Sequence, residues 1–423
     1  MNNIHNFKKK NFIIYGLGKT GKSTLEYLKR KKIKKVITWD DSSKVKNKIN
    51  KKRFLIELNK AHFIIISPGI NIKKTPFKKQ LLKNKYKIIT DIDLFYLSNN
   101  PEKTIMVTGT NGKSTTCSII EHIFKKKGFK TELCGNIGRP ILKQKFDDKK
   151  IYIIESSSYQ LEYSKFIKPT FALFLNISQD HINWHGSMKN YINSKLKIFK
   201  NQTSDDYSFI KDKKLILLYK KNKYRGKLKV VKKNHINQEL LKYPLKFKTE
   251  FENIEFALEI AKKFNIKRNF FFKSLKSFKG LKHRHEIFFK TRKYIFINDS
   301  KATSFEASKK AILKNNDIVW ILGGLPKIGD KINIRLIKNR VLHAFIFGNN
   351  TKFFSNILKG KINFTIRKNL EDIVTLISKK ILYKKKITIL FSPASASFDQ
   401  YRDFEERGDV FKRYVKNYAK RFF

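Results

Sequence analysis

Short apolar runs alternate with amphipathic stretches along nearly the whole chain, and most of the runs end in a polar or glycine-rich loop. Residues 11–15 (Asn-Phe-Ile-Ile-Tyr) predict a buried strand, followed by a glycine loop, a helix to about Lys31 and a second strand over 35–39 that ends in Asp40-Asp41. Further strands are predicted over 61–66, closed by Ser67-Pro68-Gly69, and over 86–90. Pro101 marks a boundary, after which the strand 103–107 leads into a second glycine loop and a helix that Gly128 caps. Strands are expected near 131–134, 151–154 and 171–175, and helices over 188–199, 251–264 and 269–278. The lysine-rich stretch 201–250 is strand-like without a clear division. A hairpin pattern (286–289, 294–297) then opens a last series, with strands at 317–322, 341–347 and 387–391 and a terminal helix beyond Asp399.

Strands alternating with helices predict α/β architecture, with parallel sheets covered on both faces. The series divides into three domains, 1–92, 93–281 and 282–423. A strand, glycine loop, helix, strand and acid in that order make the first domain Rossmann-like. The second has the layout of a P-loop ATPase, and the third is again Rossmann-like.

The two glycine loops are the main chemical signal. The first, Gly16-Leu17-Gly18-Lys19-Thr20-Gly21-Lys22-Ser23, satisfies both G-x-x-x-x-G-K-[ST] and G-x-G-x-x-G. The second, Thr108-Gly109-Thr110-Asn111-Gly112-Lys113-Ser114-Thr115, carries Val107 where the P-loop pattern wants its first glycine. Context reverses the textual match. After the first loop the next strand ends in Asp40, an acid suited to a ribose or base edge, and nothing nearby resembles a strand ending in a metal-binding acid. In the second, Gly109 and Gly112 let backbone N–H groups face phosphate oxygens, Lys113 can reach the β- and γ-phosphates, and the hydroxyl of Ser114 or Thr115 can ligate Mg²⁺.

Composition changes this picture little. The 423 residues are 41% hydrophobic and 13% aromatic, enough for globular domains, and no apolar run reaches membrane-spanning length. Cys117 and Cys134 match no metal spacing and, with no signal-peptide pattern at the N-terminus, point to a cytoplasmic protein. The net charge of +60 would suit a polyanion partner. However, Lys outnumbers Arg by 80 to 14 and the lysines are scattered, which favours compositional drift over a nucleic-acid surface.

Other candidates sit at predicted strand ends, where doubly wound folds bind ligands. They are Glu155 with Ser156, Ser157, Ser158 and Gln160; Asn176 to His181; His283-Arg284; Asn298 to Thr303; Gly323 to Lys327; and Ser392 to Gln400. By pattern alone His181 reads as a loop histidine and Lys195 as a solvated helix lysine.

Together these segments resemble the Mur ligase family, ATP-dependent enzymes that join amino acids to a UDP-sugar precursor of peptidoglycan. Gly109 to Thr115 is similar to that family's P-loop variant. Gly135-Asn136-Ile137-Gly138, Glu155 to Leu161 and Asp180-His181 match its central domain. Ser67 to Ile70, Asn298 to Thr303 and Ser392 to Gln400, continued by Phe404 to Gly408, resemble the members that add D-glutamate. The resemblance spans about residues 11–415. It implies ATP and Mg²⁺ as cofactors, UDP-N-acetylmuramoyl-L-alanine and D-glutamate as substrates, an acyl-phosphate route, no membrane or nucleic-acid partner, and a monomer.

Carried over by position, the resemblance implies that Gly109, Thr110, Asn111, Gly112, Lys113, Ser114, Thr115, Asn253, Arg284 and Asp299 bind ATP. Lys113, Glu155, His181 and Lys195 would be catalytic, and Ser114, Glu155, His181 and a carbamylated Lys195 would support the metal. Gly18, Lys19, Thr20, Asp40, Asn136, Ser157, Gln160 and His181 would bind the UDP substrate, and Thr303, Lys327, Ser397, Phe398 and Phe404 the D-glutamate. The chain departs from the family at Thr249-Glu250, at Leu325-Pro326 before Lys327, and at Asp41-Ser42-Ser43, which lacks an arginine. Two rival readings stay open: a Mur-type ligase for another amino acid, and a basic P-loop ATPase that binds nucleic acid.

Overall fold

The computed structural model describes residues 7–42, 47, 49–232, 251–327, 329–330, 332–380 and 386–422. The departure at Thr249-Glu250 and the 233–250 part of the unparsed stretch lie outside the described residues. The chain forms two compact units, Met1–Phe278 and Lys279–Phe423. Three sheets organise them, two in the first unit and one in the second.

The first sheet has the order β2-β1-β3-β4, from β1 (Phe12–Tyr15), β2 (Val36–Trp39), β3 (Phe63–Ile66) and β4 (Ile88–Ile89), all parallel. β4 is shorter than the apolar run 86–90 suggests, because a 3₁₀ turn takes up Lys85–Lys87. The chain leaves β1 for β2 on one side and returns to β3 on the other. This reversal opens a crevice at the carboxyl ends of β1 and β3. The helix Asp91–Ser98, closed by a capping box between Thr90 and Asp93, joins this sheet to the next.

The second sheet is fully parallel, in the order β10-β9-β8-β5-β7-β6. Its strands are β5 (Lys103–Thr108), β6 (Thr131–Gly135), β7 (Ile151–Glu155), β8 (Phe171–Phe174), β9 (Tyr207–Ile210) and β10 (Lys227–Val230). β5 is central and buried on both faces, as its unbroken apolar run requires. Ile105 and Val107 pack with Ile119, Ile120 and Ile123 of the helix Lys113–Lys127. Met106 faces the opposite layer, with Ile92, Leu161 and Ile192. Gly128 ends the helix Lys113–Lys127 in the left-handed region, φ +94°, as its C-cap position predicts. The unparsed stretch contains β9, the helix Lys213–Lys221 and β10, a parallel crossover at the sheet edge.

The third sheet has the order β11-β12-β16-β13-β14-β15, with β11 (Glu286–Lys290), β12 (Tyr294–Asn298), β13 (Ile318–Gly323), β14 (Val341–Phe347), β15 (Phe364–Ile366) and β16 (Ile387–Phe391). Only β11 runs antiparallel, paired with β12 as the predicted hairpin. β16 inserts between β12 and β13, so the loops after these three strands lie side by side at one edge. Among the described residues no helix is long and apolar enough to cross a membrane.

Candidate active site

The two glycine loops are built differently. In the first, Gly18 is the N-cap and the helix Lys19–Arg30 begins at the next residue, so Lys22 already lies inside the helix, donating its N–H to Gly18 O. Its exposed side chain starts a full turn from the loop. In the second, Gly112 is the N-cap, in the left-handed region at φ +82°, and Lys113 is the first helical residue. Each loop thus starts its helix with a lysine, Lys19 in the first and Lys113 in the second, but the N-cap is extended at φ −67° in the first and left-handed in the second, where Lys113 Nζ folds back onto the loop.

The glycines of the first loop divide the tasks of a dinucleotide fingerprint. Gly16 has φ +94°, and a Cβ there would stand 2.7 Å from Ser67 Cβ. A Cβ on Gly21 would stand 1.8 Å from Gly16 O, so helix and strand touch backbone to backbone there. Gly18 faces open space, where a phosphate can approach the main chain. Asp40 clasps the loop from the neighbouring strand: its carboxylate accepts Leu17 N–H at 2.6 Å and Ser42 N–H at 2.8 Å. Asp41 is held by Trp39 Nε1 at 2.9 Å and by the Tyr15 hydroxyl. Burial and the adjoining Asp41 carboxylate push the Tyr15 phenol far above its usual range, so it stays protonated as the donor.

Around the second loop, the main chain is pinned from β8. Thr110 N–H donates to Asn176 O at 3.0 Å, and Asn111 N–H to Asn176 Oδ1 at 3.0 Å. The Thr110 hydroxyl lies 3.1 Å from Tyr191 OH. Asn253 reaches from the helix Phe251–Lys263 to accept from the Thr116 hydroxyl at 3.2 Å, and a Cβ on Gly112 would stand 2.1 Å from its Oδ1. Asn253 thus helps wall the cradle. The structural role of Asn176 was not visible in the sequence beyond its place at the end of an apolar run.

Two lysines converge on one carbonyl oxygen. Lys113 Nζ donates to Gly109 O at 2.8 Å and Thr110 O at 2.9 Å, while Lys195 Nζ donates to the same Gly109 O at 2.8 Å. Lys195 is 1% exposed and sits 4.9 Å from the Tyr191 ring centroid, not in solvent as its pattern alone suggests. Burial, then the charge of Lys113, depresses its ammonium well below the usual lysine range. A neutral amine is the form that can react with carbon dioxide, so the environment suits carbamylation.

Glu155, 1% exposed at the end of β7, accepts from Asn136 Nδ2 at 2.7 Å through Oε1. Its Oε2 is buried with no hydrogen-bond partner. A buried carboxylate oxygen left unpaired is costly, and a divalent cation would satisfy it. Among the described residues no three His, Cys, Asp or Glu side chains cluster as a ready metal cage. The unpaired Glu155 oxygen fits Mg²⁺ held in the manner usual beside phosphates, with few protein ligands; Ser114 and His181 are the other ligands that the resemblance implies. His181 has φ +55°, and Asp180 lies 3.4 Å from its Nε2. Tyr159 packs against both His181 and His185, at ring-centroid distances of 4.8 and 5.8 Å. Burial and the nearby His181 drop His185 to about 4, leaving it neutral and 3.0 Å from the Ser158 hydroxyl. Ser157 and Gln160 form the capping box of the helix Ser158–Tyr163, which fixes the loop after β7.

In the second unit, Asp299 accepts His285 N–H at 3.0 Å and the Ser392 hydroxyl at 2.9 Å, bridging the ends of β12 and β16. Burial lifts its carboxyl to about 6. Arg284 precedes His285 on the same turn and is half-buried. Ser397 is buried, Thr303 and Phe404 are half-buried, and Lys327 and Phe398 are exposed. Lys301 Nζ lies 3.7 Å from the Phe404 ring centroid. These loops bring the expected D-glutamate residues to one edge of the third sheet.

Comparison with known proteins places this arrangement. The Mur ligase middle domain matches residues 107–271. The UDP-N-acetylmuramoylalanine–D-glutamate ligase of Wolbachia pipientis wMel is 32% identical, with 98% of each chain covered. The protein of the same name from Rickettsia prowazekii is 31% identical, covering 97% of this chain and 99% of that one. A crystal structure of MurF ligase from Thermotoga maritima in complex with ADP shares the fold with TM-score 0.58 at 15% identity, covering 99% of this chain and 97% of the other. The chain belongs to the Mur ligase family of ATP-dependent ligases.

Proposed function

We propose that this enzyme joins D-glutamate to UDP-N-acetylmuramoyl-L-alanine at the expense of ATP, in the cytoplasm and as a monomer. The observation that carries the reading is the convergence, at the ends of β5, β7 and β8, of the Lys113 cradle, the buried Lys195 and the half-satisfied Glu155. The names of the relatives support the choice of substrates. In this reading segment 1–92 holds the uridine diphosphate through Gly18, Lys19, Thr20 and Asp40. Segment 93–281 holds ATP through Gly109 to Thr115, and segment 282–423 presents D-glutamate through Thr303, Lys327, Ser397, Phe398 and Phe404.

A carboxylate resists amine attack, so the alanyl carboxylate oxygen first attacks the γ-phosphorus of ATP, releasing ADP and forming an acyl phosphate. Lys113 leaves Gly109 O and Thr110 O to neutralise charge on the transferred group. Bound Mg²⁺, held through Ser114, Glu155 and His181, would add charge neutralisation between the phosphates. The Gly112 amide at the helix start holds phosphate oxygens in place. The D-glutamate amine then attacks the acyl carbon, loses a proton and expels phosphate. Asn136, Ser157 and Gln160 shape the floor against which the acyl group is aligned.

The test is phosphate release from ATP and Mg²⁺ with UDP-N-acetylmuramoyl-L-alanine and a panel of amino acids. Release that requires both the UDP-sugar and D-glutamate supports the reading. Release with L-lysine or L-glutamate instead would assign another specificity. Turnover stimulated by DNA without the UDP-sugar would overturn the reading altogether.

A further inference from the structure

The third sheet contains a buried cation with no carboxylate in contact among the described residues. Arg407, on the helix Phe404–Asn417, is 0% exposed. Its Nε donates to the Ser300 hydroxyl at 3.1 Å, and Nη2 donates to Ser300 O at 2.8 Å and to Ser395 O at 3.0 Å. Nη1 is buried and has no hydrogen-bond partner. It lies against Gly324, where φ is +128° and a Cβ would stand 3.1 Å from it. The Asp399 carboxylate influences Arg407 only through space, and its Oδ2 accepts Asn349 N–H at 3.3 Å.

A guanidinium offers five donors, and burying one with a donor unpaired and no carboxylate in contact is unfavourable unless an anion approaches. If volume alone were needed, an apolar side chain would fill it more cheaply. The three loops that Arg407 touches are those after β12, β13 and β16. Thr303 follows Ser300 by three residues, Ser397 follows Ser395 by two, and Lys327 follows Gly324 by three.

We propose that Arg407 is the positioning residue of the amino-acid subsite. It pins the loop after β12 to the loop after β16, and its positive charge, which Asp399 offsets only through space, gives that subsite its preference for an acidic side chain. The proposal rests on the D-glutamate reading. Pinning through Ser300 and Ser395 sets where Thr303 and Ser397 stand. The charge acts on the substrate's side-chain carboxylate through a low-dielectric interior, where it is weakly screened.

The test compares D-glutamate with D-glutamine, which keeps the amine and α-carboxylate but carries a neutral amide on its side chain. Their ratio of kcat/KM (or of inhibition constants where D-glutamine does not turn over) is measured in the full-length enzyme and in the variants Arg407→Gln, Arg407→Lys and Ser300→Ala. Arg407→Gln is expected to lower the ratio by about tenfold or more. Arg407→Lys keeps the charge and loses the fork, so KM for D-glutamate rises while the ratio stays within about threefold. Ser300→Ala raises KM with the ratio unchanged. Equal ratios in all variants, or equal losses in the Gln and Lys variants, would overturn the proposal. If circular dichroism shows the Gln variant unfolded, Arg407→Lys decides: a retained ratio with raised KM supports the proposal, and a lost ratio overturns it. Absence of D-glutamate-dependent turnover in the unmodified enzyme would instead overturn the functional reading itself.

Discussion

Gly21→Ala separates the two glycine loops by experiment. The added Cβ would stand 1.8 Å from Gly16 O, whereas ordinary contact begins at 3.4 Å. The helix Lys19–Arg30 must therefore retreat from β1 by the difference, about 1.6 Å, because both contacting groups are backbone. Overpacking of this kind costs about 1–3 kcal/mol of stability. Displacing a binding loop by more than about 1 Å costs on the order of 10²-fold in kcat/KM. The expected result is a KM for the UDP-sugar raised by about two orders of magnitude, with ATP affinity unchanged. Steady-state kinetics with the UDP-sugar varied, and titration of a fluorescent ATP analogue, read the two effects separately. Gly18→Ala is the control: Gly18 has φ −67° and nothing within 4 Å. It should leave thermal stability within about 0.5 kcal/mol while weakening UDP-sugar binding, because the methyl occupies the phosphate approach. Wild-type UDP-sugar kinetics in Gly21→Ala, or a loss of ATP binding instead, would refute the division of labour between the loops.

Lys113→Ala should abolish phosphate release, and turnover at the wild-type rate would remove the second loop from the ATP site. Burial raises the Asp91 carboxyl to about 7, while the unfolded chain releases that proton near 3.8. The folded state therefore binds the extra proton between these values, so Asp91's contribution is full below about pH 4 and is lost as pH rises through 7. Asp91→Asn should flatten that part of the stability–pH curve, gaining up to a few kcal/mol above pH 7; unchanged urea midpoints from pH 4 to 8 would contradict this. With a net charge of +60 and anionic substrates, kcat/KM for the UDP-sugar should fall several-fold from low to high salt. A salt-independent value would show that the charge does not steer substrate.

The sequence made the parallel core legible because a strand buried on both faces is an unbroken apolar run, as in β5, β13 and β16. β10 was hidden by the opposite situation: it is an edge strand, Lys227–Val230, with three of its four residues exposed. Lys195 could not be read as buried from its own helix. Its burial comes from Tyr191 and from Gly109 O, 86 residues away in sequence. Arg407 entered only within the matched segment Phe404 to Gly408, and its burial against Ser300, 107 residues away in sequence, was not legible there. The build of the glycine loops was legible because it is set by residues close by in the chain, the acid Asp40 after β2 for one and Gly112-Lys113 at the helix start for the other.

The second compact unit is one uninterrupted segment, Lys279–Phe423, with its own sheet and core. A single peptide connection enters it. In the proposed reading, which assigns the D-glutamate residues to this segment, the choice of amino acid is inherited as one continuous cassette. Recombination at a single point could exchange it without breaking either of the other two sheets. A ligase lineage could in this way acquire a new amino acid while retaining its nucleotide machinery, and grafting residues 279–423 from a related ligase is the direct laboratory counterpart.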